Sequence, residues 1–201
     1  MRLNLRAYIW YKLLNSTFLG VSVGSIFVLY TPLEPSIYSL GGITLALGML
    51  FIAKWYDHLM NLKAFFYITF FVESVVLLFV GSFLLFGYSY MVAMSIYIGY
   101  QITFMFGGYL VRMETIALRK TDILSFADVA KQKGYLFGMV ISYGFYKLLE
   151  YLQVADKKIQ VYDLHVGLFL LQIAIIYFVF KAFKSSQLRA DSFYILKFGI
   201  I

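Results

Sequence analysis

The chain has no cysteine, two prolines, two histidines and few charged residues among its 201 positions. The absence of cysteine excludes a disulfide framework, thiolate catalysis and thiolate metal ligation, and leaves the redox compartment undetermined. Charge makes up 13% of the sequence and apolar residues 62%, against roughly 25% and 45–50% in soluble domains. One soluble core of this size could not hide that much apolar surface. The charges are also clustered. None occurs from Leu13 to Leu33, from Pro35 to Ala53, from Ser74 to Val111 or from Leu164 to Phe180. Uncharged stretches of about 20 residues read as transmembrane helices, and the run from Ser74 to Val111 is long enough to fold back on itself. An all-α, polytopic integral membrane protein follows.

Six spans are expected. The first runs from about Ala7 to Tyr30 and stops at Thr31-Pro32-Leu33-Glu34-Pro35, where both prolines break helix without costing internal hydrogen bonds. Its basic start resembles a signal peptide, but no small-residue cleavage pattern follows, so it is read as a retained span. The second runs from about Tyr38 to Trp55 and ends at the polar bend Asp57–Asn61. Spans three (about Leu62–Phe86) and four (about Tyr90–Val111) divide at Gly87-Tyr88-Ser89. After a charged stretch from Arg112 to Lys133, span five covers about Gly134–Val154 and span six about Leu164–Phe183. The six spans form one unit over residues 1–183, followed by a basic cytoplasmic tail, 184–201.

With six spans, 14 of the 17 lysines and arginines fall on the side of the termini, and only Lys157 and Lys158 on the other. The excess of basic residues in cytoplasmic loops then puts both termini in the cytoplasm, and the protein in the cell (inner) membrane. The pI near 9.4 has the same origin. The basic residues rim the spans and do not gather on a soluble face, which argues against nucleic-acid binding.

The bend after span two reads Ala53-Lys-Trp-Tyr-Asp57-His58-Leu-Met60-Asn61-Leu-Lys63. It resembles the signature loop of the major facilitator superfamily, where a small residue is followed four positions later by Asp, then by basic residues and a glycine. Ala53, Asp57 and Lys63 fit; His58, Met60 and Asn61 stand where that family usually has Arg, Gly and Arg. Glu114 and Arg119 follow span four as an acid and a base often do there, and Gly134 and Gly138 fall in a span that is typically glycine-rich. The resemblance implies a six-helix bundle of three-plus-three inverted repeats, which is half of a usual transporter. It further implies a homodimer, a small-molecule substrate and a cytoplasmic gate at Asp57, Lys63, Arg112, Glu114 and Arg119. From the residues alone, Asp57 could equally cap the third helix.

Polar residues inside spans are costly and mark pathways or packing contacts. Glu73, Gln101 and Gln172 fall near the middle of their spans and Asn15 in the inner half of the first. Glu73 is the only acid in the middle of a span, and so the residue proton coupling would need. Lys147 is a further pathway candidate, although Glu150 at i+3 offers it a local ion pair. Gly20-x3-Gly24 and Gly134-x3-Gly138-x3-Ser142 permit close helix approach. No nucleophile elbow, HExxH motif or phosphate-binding glycine loop occurs, and His58 and His165 belong to opposite faces, so neither an enzyme nor a cofactor is expected. Three readings stand: a half-size, proton-coupled facilitator-like transporter, a non-transporting membrane subunit, and a six-span substrate-binding component of an ATPase-driven importer.

Overall fold

The computed structural model describes residues 1–31 and 33–184. Pro32 and the tail from 185 onward, expected to be basic and cytoplasmic, lie outside the described residues. The described residues are mainly helical, with one two-residue antiparallel pairing of β1 (Arg2–Leu3) with β2 (Phe183–Lys184). That pairing, with the Asn4 N–H donating to the Ala182 carbonyl at 2.7 Å, brings the two ends of the bundle sequence to one side.

Among the described residues eight helices follow in order: α1 (Leu5–Leu29), α2 (Pro35–Lys54), α3 (Tyr56–Leu59), α4 (Leu62–Phe86), α5 (Tyr90–Met105), α6 (Gly107–Leu118), α7 (Thr121–Tyr151) and α8 (Lys157–Ala182). Local chemistry sets their limits. Asn4, Asn61, Ser89 and Asp156 each accept a backbone N–H at a helix start, which satisfies a donor that has no partner inside the helix. Gly87, at φ +68°, closes α4, in a conformation only glycine adopts without strain.

Among the described residues five segments are long and apolar enough to cross a membrane: α1, α2, α4, α5–α6 taken together, and α8. α7 is not among them, because Lys131, Lys133, Lys147 and Glu150 dilute its apolar middle. It also begins well before the expected Gly134. The expected fourth span is broken at Phe106 and continues to Leu118 as α6.

The main helix contacts join neighbours in a row, α7–α1–α8–α4–α5–α2. Residue pairings give the directions. Gly134 lies against Leu13 and Gly138 against Thr17, so α7 runs parallel to α1. A Cβ added at either glycine would run into the backbone carbonyl of the residue it faces, and one at Gly20 into the Tyr135 carbonyl. Tyr8 meets Phe65 and Tyr88 bonds the Val28 carbonyl, so α4 is parallel to α1 as well. α8 runs against both: Trp10 stacks on Phe178, Phe70 packs on Phe180, and Phe83 on Tyr162. α2 is parallel to α5, with Gly41 against Tyr97 and Gly48 against Met105. The largest buried cluster lies where α1, α4 and α8 meet and includes Tyr8, Phe65, Leu168 and Ile175.

Candidate functional site

The centre of the row holds the most deeply buried carboxyl among the described residues. Glu73 sits on α4 with 1% of its surface exposed. Tyr11 and Asn15, one turn apart on α1, present to the same face. The Tyr11 hydroxyl donates to Glu73 Oε1 at 2.8 Å, and the Asn15 amide donates to the same oxygen at 2.9 Å. From α8, Gln172 Nε2 donates to Oε2 at 2.8 Å and to the Glu73 backbone carbonyl at 2.9 Å. A carbonyl only accepts, so this last bond fixes which end of the Gln172 amide is nitrogen. It leaves Gln172 Oε1 buried without a donor; Thr69 Oγ1, one turn before Glu73, is in the same condition.

All three groups that bond the carboxylate are neutral donors, and the Lys12 ammonium acts on it through space without an ion pair. Among the described residues no lysine, arginine or histidine pairs with it. A bare charge at this depth is expensive, while three donors stabilise a carboxylate. The arrangement therefore has the means to hold a proton or to release one.

A second buried carboxyl lies at the end of the bundle where the chain starts. Glu114, on α6 and 2% exposed, forms ion pairs with Lys12 of α1 at 3.3 Å and with Lys131 of α7 at 3.0 Å, both on Oε2. Lys131 also bonds Asp128 at 2.8 Å. Partial burial works against the charge of Lys131, but the hydrogen bond to Asp128 and the Glu114 carboxylate outweigh it and raise its pKa above the ordinary lysine value. The Lys12 ammonium also lies 5.5 Å from the centre of the Tyr11 ring. Neighbouring residues of α1 thus serve the two acids, Tyr11 for Glu73 and Lys12 for Glu114.

The other expected gate residues do not join this group. Asp57 and Lys63 are exposed, and neither forms an ion pair among the described residues. Asp57 is not the cap of the third span either: it lies in the single turn α3, and Asn61 caps α4 by accepting from the N–H groups of Lys63 and Ala64 at 3.1 and 2.9 Å. Arg112 lies 5.8 Å from the Tyr56 ring centre. Arg119 forms the turn between α6 and α7, at φ +55°. Lys147, the pathway candidate on α7, is more than half exposed and bonds Glu150 at 2.7 Å, away from the Glu73 group. Gln101, on α5, is not bonded to Glu73, and its Oε1 is buried without a partner.

Sequence reasoning named Glu73, Asn15 and Gln172 separately. It missed Tyr11, whose signal was its i,i+4 spacing from Asn15 inside an apolar span. Lys12 and Lys131 gave no local sign of pairing with Glu114, since the three come from different helices. No family model matches the chain, and neither a curated protein nor a solved structure matches it.

Proposed function

We propose that the chain is a half-size secondary transporter, similar to one half of a major facilitator, that moves a small solute together with protons and works as a homodimer. The observation that carries this reading is Glu73, a mid-bundle carboxyl held by three neutral donors and paired with no cation among the described residues. An acid placed this way is costly unless it serves something, and exchange of its proton is the service its surroundings suit.

Six crossings are part of the proposal. α7 is level with Lys12 at Lys131 and has reached the level of Gly24 by Tyr146. α8 then begins at the Leu29 end, where Val161 joins the same buried cluster as Leu29. If α1 and α8 cross, α7 must carry the chain across between them.

The row of helices supports the inverted repeat. Exchange the first three spans for the last three, that is α1 for α5–α6, α2 for α7 and α4 for α8. The row α7–α1–α8–α4–α5–α2 then reads as itself in reverse, and each exchanged pair runs in opposite directions. α4 and α8 meet at its centre, through Glu73 and Gln172. The glycines that let α2 approach α5 correspond to those that let α7 approach α1. The positive-inside count orients the bundle with its termini in the cytoplasm of the inner membrane.

A second reading, a non-transporting membrane subunit, is favoured by the unpaired Asp57, which leaves the signature loop without the ion pair a gate would use. Uptake of a panel of labelled small solutes into proteoliposomes under an acid-outside gradient separates the two. Gradient-dependent accumulation supports transport; none with any solute, from protein shown to be folded, transfers the assignment to the subunit reading. The mass in detergent tests the homodimer.

A further inference from the structure

The Glu114 cluster is balanced in itself: two acids, Glu114 and Asp128, pair with two cations, Lys12 and Lys131. The cations are not equally committed. Lys131 bonds Asp128 at 2.8 Å and reaches Glu114 Oε2 at 3.0 Å, whereas Lys12 has that Oε2 alone, at 3.3 Å. Glu114 Oε1 is buried without a partner, so both lysines bear on one oxygen. The Lys12 ammonium also lies over two aromatic rings, 5.9 Å from the centre of Tyr8 and 5.5 Å from that of Tyr11, distances at which a ring attracts a cation. The same Tyr11 donates its hydroxyl to Glu73 Oε1 at 2.8 Å. One side chain therefore separates the ammonium from the Glu73 carboxyl.

We propose that Lys12 is a positioning residue shared by the two buried acids, and that its tie to Glu114 sets the pH at which Glu73 gives up its proton. The inference rests on the proton-coupled reading above. No proton passes through Lys12; its charge alone is felt. The groups bonded to Glu73 (Tyr11 and Asn15 of α1, Gln172 of α8) are neutral, and Lys12 is the cation that acts on it through space. Lys12 is acted on in turn by Glu114 of α6, Lys131 of α7 and Glu73 of α4. Tyr8 completes the titratable groups around the pair, and Asp128 is reached through Lys131. While Glu73 is protonated, the two lysines and two acids of the cluster cancel, and Lys12 belongs to Glu114. Once Glu73 is ionised, a fifth charge appears with no cation of its own, and Lys12 is drawn by two carboxylates. A nearby positive charge favours an ionised acid and a negative one opposes it. Lys12 therefore eases proton release from Glu73, and Glu114, by holding Lys12, restrains it.

The test follows the Glu73 carboxylic-acid stretch by infrared spectroscopy of the full chain in lipid nanodiscs through a pH titration. The band is assigned by its loss in Glu73→Gln. Lys12→Met, which keeps an unbranched stem and removes the charge, should raise the midpoint by about one pH unit, a tenfold change in proton affinity. Glu114→Gln, which frees Lys12, should lower it by a similar amount. In the Lys12→Met background, Glu114→Gln should move the midpoint by at most about half as much, because the acid has no lysine left to hold. Lys12→Arg, which keeps the charge, should stay within about threefold of the unaltered proton affinity. If Glu114→Gln does not fold, Glu114→Asp, which draws the carboxylate back from Lys12, should shift the midpoint downward in its place. Shifts of the same sign in Lys12→Met and Glu114→Gln, as loosened packing would give, overturn the proposal. Unmoved midpoints overturn it too, as does a Glu73 band that does not titrate in any variant. Opposite shifts in a protein that takes up no solute keep the coupling and fail the transport reading; uptake without such shifts fails the coupling alone.

Discussion

Gln172 grips Glu73 twice, its Nε2 donating to the carboxylate at 2.8 Å and to the backbone carbonyl at 2.9 Å. One amide therefore ties α8 to both the side chain and the main chain of α4, at the centre of the helix row. Replacing it with Leu, of similar size, removes both bonds and leaves the carboxylate with its two donors from α1. The expected loss is about 1.5–3 kcal/mol, the range for a hydrogen bond to a charged group, read from denaturation in detergent. Asn15→Leu should cost less, because Tyr11 still donates to the same oxygen. Equal losses would mean that Gln172 has no special place.

The α1–α7 seam should be intolerant of a single methyl group. Gly138→Ala drives a Cβ into the Thr17 carbonyl, and Gly134→Ala one into the Leu13 carbonyl. Neither obstacle is a flexible side-chain end, so each should cost about 1–3 kcal/mol of overpacking. Gly144, on the same helix, faces open space. Gly144→Ala should be neutral or stabilise by up to about 1 kcal/mol, the helix-propensity difference. Melting temperatures of the three variants in detergent check the contrast, and a uniform response would dissolve the seam.

The buried charge cluster makes the opposite prediction from the signature loop. Glu114→Gln takes the carboxylate from Lys12, leaves Lys131 with Asp128 alone, and should cost about 3 kcal/mol, as for a broken buried pair. Asp57→Asn and Asp57→Ala should each change stability by less than about 0.5 kcal/mol, as exposed substitutions do. A large loss at Asp57 with none at Glu114 would restore the loop as the inner latch.

Much of the architecture was legible because membrane burial is written in charge. Long uncharged runs marked the helices, and Gly87 marked the turn between α4 and α5. The break at Phe106 was not seen, since Gly107-Gly108 lies in an otherwise continuous apolar run. α7 starts earlier than expected because its first turns are charged. Ile123, Leu124 and Ala127 of these turns nevertheless pack on the core, and an Asp128–Lys131 pair at i,i+3 adds support to the helix. The site was legible as single residues and not as a group. Glu73 lies 58 residues from Asn15 and 99 from Gln172, and no local pattern connects positions so far apart. The Asp57 loop shows the converse: a local motif can stand in the sequence while its acid forms no ion pair among the described residues.

Orientation can be tested without a substrate. Single cysteines at the exposed positions Ser36 and Ala155 should react with an impermeant thiol reagent in intact cells, and one at Thr121 should not. This rests on the 14-to-2 division of basic residues, and the native chain contributes no cysteine background. Labelling at Thr121 alone would invert the bundle; labelling at Ala155 and Thr121 together would remove α7 from the membrane.

The most direct test of the account is pH-driven solute accumulation by Glu73→Gln in proteoliposomes, measured beside solute exchange at equal pH on the two sides. Gln keeps the size of the side chain and cannot carry the proton. The account predicts that accumulation is abolished while exchange persists. Full accumulation by Glu73→Gln would contradict it and leave Glu73 as a packing contact between α1, α4 and α8.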